Sequence, residues 1–481
     1  MAFKTDIQSA SDILERFYRE SKTGSTPVLN QEKPEEIIRN LGLETFVQQG
    51  GLTGPALKKF LEIYFTYVTR LHHPNYLGHQ CAPPHPSSSL GTLVNGFVNN
   101  VSSIYEMSPV SATFEQFVVN WMLEKIGWEP MPYSKPSSGF DGQHAAGVLV
   151  NGGSMANLTA LVIARTHKIP EVWNSGNTDN LTVLLPAESH YSLTKAAGIL
   201  GVGAKSVHYM EVDAKGRVRP DKMDETLKEV LSKGLIPFAV VANACSTSVG
   251  IYDPLDEMAA FCTANELWLH VDGAHGASAL VSPRYRGLLK GIENANSVSW
   301  DAHKMLQVPS LCAGLLVKDH KHLNHGIGGY QNASYIFHEK DQPGFDSIHN
   351  TIETTKSGLA EKMIFVMGAI GEKGLSDYLE RQHQLTYAAF EYINGCEDFE
   401  CAVSPESNIL CFRIVGSDEL QLQIRNHLTA SGLFYITTVV FNGRRYLRLV
   451  FMSHNTTLST VKNLVTEVVR LKESLSEILK N

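Results

Sequence analysis

One lysine of this sequence stands among residues that could bind and activate a small ligand. Lys304 follows a short apolar and β-branched segment, 297–300, which is too short for a helix and is predicted to be a buried strand. Open α/β sheets bind their ligands just beyond the ends of their strands, so an amine at this position could take part in chemistry. On position alone a solvated surface lysine is the favoured interpretation. Three other segments of the chain reverse it.

These segments supply the remaining groups of a ligand site. The Gly-rich turn 151–157 lies between a predicted strand and a predicted helix, where free backbone N–H groups attract phosphate, although a plain tight turn would look the same. Asp272 ends the apolar strand 267–271, and its carboxylate could cap a helix or hold a ring nitrogen protonated. His190 follows another strand and could be structural, stack on a ring or move a proton.

Together these groups match the needs of one cofactor, pyridoxal 5′-phosphate. The cofactor requires a phosphate cradle, a carboxylate beside its ring nitrogen, a group that stacks on its ring and an amine that binds its aldehyde. The small residues Gly273 and Ala274 leave room for a flat ring. We therefore predict that Lys304 binds the aldehyde as a Schiff base and that Asp272 pairs with the pyridinium.

The elements that must position these residues alternate between strands and helices from about residue 145 to 318. Strands are predicted at 147–150, 182–185, 238–242, 267–271, 297–300 and 313–317. Helices are predicted at 156–167, 193–200, 221–233 and 254–264. This alternation predicts an α/β fold with a mostly parallel sheet that helices cover on both faces.

The flanking regions divide the chain further. The predicted parts are an N-terminal helical segment (1–100), a large cofactor-binding α/β domain (101–358), and a linker helix with a small C-terminal α/β domain (359–481). Residues 326 to 358 are irregular and rich in Gly and polar groups, and a loop of this length inside a compact protein is usually functional. We predict that it forms a lid.

Composition excludes several classes of protein. The 481 residues carry a net charge of −8 and contain no basic run, so nucleic acid is not an expected partner. No apolar run reaches the ~20 residues that cross a bilayer, and the first residues contain no apolar signal segment, so no membrane association is expected. The seven cysteines are scattered and never form a Cys-x-x-Cys pair, which is typical of reduced thiols in a cytoplasmic protein.

Four histidines between residues 72 and 85 raise the alternative of a metal site. Their spacing is irregular, and no neighbouring carboxylate or thiol cluster completes a ligand set. We predict no metal, and interpret the segment as a loop that lines a pocket.

The sequence resembles the group II pyridoxal-phosphate amino-acid decarboxylases, which include glutamate, cysteine sulfinate, aromatic amino-acid and diaminobutyrate decarboxylases. The similarity runs from about residue 73 to 452. It is carried by Gly-Gly-Ser-x-x-Asn at 152–157, His-Val-Asp-x-Ala at 270–274 and Asn-Ser-Val-x-Trp-x-x-His-Lys at 296–304. The resemblance implies a type I fold of the pyridoxal-phosphate-dependent transferases and a homodimer with its sites at the subunit interface.

The resemblance also implies roles for individual residues. Lys304 corresponds to the Schiff-base lysine, Asp272 to the partner of the pyridine nitrogen and His190 to the ring-stacking residue. Further cofactor contacts are expected from Gly153, Ser154, Thr247, Ala274 and His303. Arg448 corresponds to the arginine that holds the substrate carboxylate, and His79 is expected to lie in the substrate pocket.

The sequence departs from the family at several positions. Phe345, also expected in the substrate pocket, aligns with a lid tyrosine that supplies the α-carbon proton, and relatives without that tyrosine form aldehydes by decarboxylation coupled to oxidative deamination. The segment 244–247 replaces the usual Gly-Thr-Thr, and Asp301 replaces the more usual asparagine. Segment 77–79 reads Leu-Gly-His where glutamate decarboxylases have Phe-Asn-Gln, which argues against glutamate.

The predicted function is decarboxylation of an L-amino acid to the corresponding amine. Two alternatives remain open at this point. One is aldehyde synthesis or transamination on the same cofactor, and the other is a non-catalytic interaction protein that retains the fold.

Overall fold

The computed structural model describes residues 2–133, 143–178, 180–327, 344 and 346–478. The chain divides into two compact units. The smaller unit combines Met1–Pro83 with Gln382–Asn481, and the larger unit is Pro84–Arg381. Each unit has its own sheet and its own hydrophobic core.

Helices occur along the whole described chain. In order they are α1 (Ala2–Thr23), α2 (Pro34–Leu41), α3 (Leu43–Gln49), α4 (Gly54–Tyr67), α5 (Pro86–Val98), α6 (Pro109–Ile126), α7 (Gly153–Lys168), α8 (Val172–Ser175), α9 (Tyr191–Ile199), α10 (Pro220–Ser232), α11 (Leu255–Ala264), α12 (Ala302–Met305), α13 (His320–Gly326), α14 (Ala360–Asn394), α15 (Asp418–Ala430) and α16 (Leu458–Ile478). None of these described helices combines the length and the apolar character that a bilayer crossing requires.

The described strands fall into two groups. In order they are β1 (Ala146–Val150), β2 (Leu181–Pro186), β3 (Val207–Met210), β4 (Ile236–Asn243), β5 (Trp268–Asp272), β6 (Ser297–Asp301), β7 (Ala313–Val317), β8 (Phe399–Cys401), β9 (Ile409–Ile414), β10 (Thr437–Phe441) and β11 (Arg444–Val450).

The larger unit is built on a seven-stranded sheet with the order β1-β7-β6-β5-β4-β2-β3. Strands β6, β5, β4, β2 and β3 are parallel, whereas β7 runs antiparallel to both of its neighbours, β1 and β6. The sheet is therefore mostly parallel, which confirms the predicted fold class. Strands β5, β6 and β7 are buried along their whole length, as expected of sheet strands covered on both faces.

Helix α7 packs on this sheet and contributes to its hydrophobic core. Its alanine- and leucine-rich side, which includes Ala156, Ala160 and Leu161, is fully buried among the side chains of the strands and of α9. The small alanine side chains let the helix lie close to β4, β5, β6 and β7. The first turn of α7 is thereby fixed at the edge of the sheet where β1 ends.

The smaller unit contains a four-stranded antiparallel sheet with the order β10-β11-β9-β8. Its core consists of side chains from β9 and β11 together with apolar residues of α15 and α16, such as Ile424 and Leu464. The N-terminal helices α1, α2 and α4 of this unit pack on one another.

Most of the predicted lid, 328–343 and 345, lies outside the described residues. The described part that follows it is anchored by a buried ion pair. Lys356 Nζ lies 2.5 Å from Glu115 Oε1 and 3.4 Å from Ser347 Oγ, and the backbone N–H of Leu149 donates to the same glutamate oxygen at 3.0 Å. The predicted three-part division of the chain, with bounds near residues 100 and 358, stays a prediction.

Candidate active site

The predicted cofactor residues of the larger unit line a single cavity of about 240 Å³. The residues that the structure brings together there are Gly153, Ser154, His190, Thr247, Asp272, Ala274, His303 and Lys304. Asp272 is the last residue of β5, and the others follow the ends of strands or begin the helices after them. The cavity therefore lies where sequence analysis expected a ligand, at the carboxyl edge of the sheet.

The reversed strand β7 explains why segments far apart in sequence meet at this edge. Ala313 of β7 is the register partner of both Val150, at the end of β1, and Asp301, at the end of β6. Because β1 and β6 are both antiparallel to β7, they run in the same direction. The turn after β1 and the lysine after β6 consequently leave the sheet at the same edge.

The first turn of α7 provides an anion site. Gly152 has a φ of 98°, a left-handed conformation that favours glycine, and α7 starts at the next residue. A Cβ atom on Gly153 would lie 2.7 Å from Asp301 Oδ2 and 3.1 Å from Ala274 Cβ, so only glycine fits there. The free N–H groups and the dipole at the start of this 16-residue helix favour a phosphate.

Asp272 is a buried carboxylate, 8% exposed, whose hydrogen bonds come from neutral groups. Oδ2 accepts a hydrogen bond from Asn157 Nδ2 at 2.9 Å, and Oδ1 accepts from Ser299 Oγ and the Ala274 N–H at 3.2 Å each. Among the described residues, no lysine or arginine forms an ion pair with it. A buried charge of this kind fits a ligand that brings a cation, such as a protonated ring nitrogen.

Lys304 reaches the same cavity from the short helix α12. Its Nζ lies 3.3 Å from Asp301 Oδ2, and His303 Nε2 lies 3.6 Å from that oxygen. The side chain of Asp301 is 2% exposed, whereas that of Lys304 is 21% exposed and stays accessible to a ligand. Asp301 Oδ1 is buried and has no hydrogen-bond partner among the described residues. The amine is thus held in place by one carboxylate and remains reachable.

His190 is half-buried at the start of α9. Its Nδ1 lies 2.8 Å from Ser192 Oγ and accepts the backbone N–H of the same serine at 3.3 Å. Burial lowers the pKa of His190, and Asp272 only partly opposes that effect. A ring that is neutral at physiological pH can lie against an aromatic cofactor without the cost of desolvating a charge.

Three further residues were predicted to belong to the site. Phe345 lies outside the described residues. Arg448 and His79 belong to the smaller unit, where the buried guanidinium of Arg448 donates to Gly78 O at 3.4 Å and to Gln80 Oε1 at 3.1 Å. Burial, followed by the charges of Arg448 and Arg425, lowers the pKa of His79.

Sequence analysis missed several residues of the site. Cys245, His275 and Leu311 line the cavity, and Asn157, Ser192 and Ser299 hold its functional groups. For Ser299, the sequence contains a pattern that could have indicated the site. Polar residues alternate along two fully buried strands, at 270 and 272 in β5 and at 297 and 299 in β6, so they share one face of the sheet. Polar positions repeating inside a core indicate a site rather than packing.

Among the described residues, no cluster of three or more His, Cys, Asp or Glu side chains is placed to hold a metal ion.

Comparison with known proteins identifies the family. A model of the pyridoxal-dependent decarboxylase conserved domain matches residues 56–415. The chain belongs to this family. It is 32% identical over 383 residues to the acidic amino acid decarboxylase GADL1 of Bos taurus, which covers 79% of this chain and 70% of that protein. It is 29% identical over 407 residues to the cysteine sulfinic acid decarboxylase of Rattus norvegicus, with 84% and 79% covered.

The fold agrees with that assignment. The crystal structure of mouse CSAD superposes with a TM-score of 0.88 at 25% identity and covers 98% of both chains. The protein is therefore a pyridoxal-phosphate-dependent amino-acid decarboxylase. The cavity of this decarboxylase fits the cofactor, because it combines an anion site at α7, an uncompensated carboxylate at Asp272 and an accessible amine at Lys304.

Proposed function

We propose that this decarboxylase converts an L-amino acid to the corresponding amine and carbon dioxide, with pyridoxal phosphate attached to Lys304 as a Schiff base. The observation that carries this proposal is the single cavity in which Lys304, Asp272, His190 and the start of α7 meet. When bound, the cofactor supplies an aldehyde that takes up amines and a ring that accepts the electron pair left by departing carbon dioxide.

Each side chain has a distinct task in this proposal. Lys304 would hold the cofactor through its aldehyde, at the place where a substrate amine would be taken up and the product amine released. Asp272 keeps the ring nitrogen protonated, because its buried negative charge is otherwise unbalanced. His190 covers one face of the ring. The first N–H groups of α7, with Ser154 and His303, hold the phosphate.

Arg448 is proposed to hold the α-carboxylate of the substrate. In the smaller unit its guanidinium is buried and oriented by Gly78 and Gln80, so little conformational entropy remains to be lost when a carboxylate binds. We further propose that the substrate has an acidic side chain. The names of the bovine and rat relatives support this class.

We also propose that the protein is a cytoplasmic homodimer. The exposed side of α5 supports the dimer, because its large apolar side chains are 46–71% exposed and form a surface suited to a second copy: Leu90, Leu93, Val94, Phe97 and Val98. Analytical ultracentrifugation tests the dimer, which an α5 variant carrying Leu93→Lys and Phe97→Lys should dissociate. The seven scattered cysteines form no disulfide in the described part of the chain, which supports a reducing compartment, and cell fractionation tests this location.

The decisive experiment is an assay of purified holoenzyme with a panel of acidic, aromatic and basic L-amino acids. Carbon dioxide and amine should appear in equal amounts with at least one acidic substrate. Hydrogen peroxide and ammonia in step with carbon dioxide would instead establish the aldehyde-forming alternative. The Lys304→Ala variant provides the control: it should be colourless and inactive, whereas the wild-type protein should be yellow and bleach with borohydride. A colourless wild-type protein would leave only the non-catalytic alternative.

A further inference from the structure

A continuous chain of hydrogen bonds runs through the core from β6 to His190. Trp268 Nε1 donates to Ser297 Oγ at 2.9 Å, and Ser297 Oγ lies 2.9 Å from His270 Nδ1. His270 Nε2 lies 3.1 Å from Asn157 Oδ1. The amide nitrogen of Asn157 then donates both to Asp272 and, at 3.1 Å, to Ser192 Oγ.

The chemistry of these groups permits one assignment of hydrogens from Asp272 onward. An ionised carboxylate only accepts hydrogen bonds, so the NH₂ group of Asn157 must face Asp272 and its carbonyl oxygen must face His270. His270 must therefore carry a hydrogen on Nε2. Complete burial lowers the pKa of His270 to about 4, so its Nδ1 is an acceptor that takes the hydroxyl hydrogen of Ser297.

The same reasoning extends to the cavity. The backbone N–H of Ser192 donates to His190 Nδ1, which excludes a hydrogen on that ring nitrogen. Ser192 Oγ accepts one hydrogen of Asn157, and its own hydroxyl hydrogen therefore donates to the same Nδ1 at 2.8 Å. The neutral imidazole must carry its hydrogen on Nε2, which has no hydrogen-bond partner among the described residues.

We infer that Asp272 sets the tautomer of His190 through Asn157 and Ser192, so that His190 presents an N–H donor on Nε2 to the cavity. Asn157, Ser192 and His270 are then positioning residues, because they act through His190. One carboxylate thereby has two tasks: its charge would balance the ring nitrogen, and its orientation of Asn157 helps to fix a hydrogen on another residue of the cavity lining. The use of that donor in catalysis rests on the proposed function, whereas the hydrogen-bond chain does not.

Two serines make a matched test. Ser192 and Ser299 are both buried, and each lies one hydrogen bond from the Asp272–Asn157 pair, but only Ser192 contacts His190. Holoenzyme labelled with ¹⁵N-histidine reports the tautomer through one- and two-bond proton–nitrogen correlations. The signals of His190 are assigned by their loss in His190→Gln.

The wild-type spectrum should show an unprotonated Nδ1 and a protonated Nε2. Ser192→Ala should move the Nδ1 signal toward the protonated position, because the hydroxyl donor at 2.8 Å is lost and the longer backbone contact remains. Ser299→Ala should leave both signals in place. Asn157→Leu, if it folds, should reproduce the effect of Ser192→Ala without touching His190.

Three results would overturn the inference: a hydrogen on Nδ1 in the wild type, unchanged signals in Ser192→Ala, or equal shifts in the two serine variants. Failure of the proposed function is separate, since it appears as absent carbon dioxide release in the wild-type assay whatever the nitrogen signals show.

Discussion

Two of the buried carboxylates of the larger unit, Glu115 and Asp272, differ in what balances their charge. Glu115 is paired with Lys356, which is 1% exposed, and also accepts the N–H of Leu149. Asp272 is surrounded by neutral donors, namely Asn157, Ser299 and a backbone N–H. The charge of Glu115 is balanced by a lysine of the protein. Asp272 has no lysine or arginine partner among the described residues, which fits a group that binds a cationic ligand rather than a structural ion pair.

The largest expected effect is the loss of activity when Asp272, the carboxylate without a protein counterion, is replaced. Asp272→Asn keeps the shape of the side chain but removes its charge, so the ring nitrogen loses its partner. The decarboxylation rate should fall by roughly 10³-fold, comparable to the loss of other preorganised electrostatic groups. Steady-state assays with the best substrate measure it. A rate within tenfold of the wild type would contradict this role.

Breaking the ion pair of Glu115 should instead lower the stability of the protein. Lys356→Met leaves Glu115 buried without a counterion, and the free energy of unfolding should fall by about 3–5 kcal/mol in urea titrations. Adding Glu115→Leu should recover most of the loss, because no charge then remains buried. Lys373→Met is the control. The ion pair of Lys373 with Asp377 is exposed on both sides, so its loss should cost less than about 1 kcal/mol.

Removal of the cofactor also distinguishes Asp272 from Glu115. At a cofactor concentration of about 100 times Kd, the holoenzyme should be more stable than the apoenzyme by about 2.7 kcal/mol. The gain should shrink in Asp272→Asn, which lacks the ring-nitrogen partner, and persist in the Lys356→Met/Glu115→Leu double variant. Thermal unfolding with and without pyridoxal phosphate tests both. Equal gains in all three proteins would remove the distinction between the two carboxylates.

The smallest expected effect concerns His270, a fully buried imidazole whose pKa is raised in part by the charge of Asp272. Burial lowers the pKa of His270 to about 4 in the folded state, against about 6.5 when unfolded, so the unfolded chain binds the proton first as the pH falls. Stability should therefore drop by about 1 kcal/mol between about pH 7.5 and pH 5.5 from this group alone. His270→Gln should flatten that part of the pH profile. A profile identical to that of the wild type would contradict this expectation, because it would mean that the protonation of His270 does not change between the folded and unfolded states.

Sequence reasoning recovered the parts of the molecule that strong local patterns encode. All six strands predicted for the larger sheet are present within two residues of their predicted ends, because continuous apolar runs are typical of buried strands. Strand β3 was missed because it lies at the edge of the sheet and two of its four residues are not buried, so no such run exists. Helix α15 was missed for a similar reason, since few of its side chains are apolar.

The site was predicted to a similar degree. Residues at or just after the ends of strands, such as Asp272 and Lys304, could be placed at one edge of the sheet, because parallel strands bring their ends together. The residues that form hydrogen bonds with them could not be predicted in this way. A hydrogen bond such as that between Asn157 and Ser192 depends on the orientation of a helix packed on the sheet. The reversed direction of β7 was also invisible, since a strand of five apolar residues has no direction in its sequence.

That reversed strand has a consequence for the order of folding. Among the described strands, β1 pairs only with β7, more than 160 residues later in the chain, as Ala146↔Val317 shows. The strand that leads into the proposed phosphate-binding turn therefore has no partner strand until β7 has been synthesised and paired. Contacts between such distant residues form late and slowly, because a long loop must close first. Capture of the cofactor thus reports that the whole sheet has assembled, and bound pyridoxal phosphate would mark chains that have completed folding.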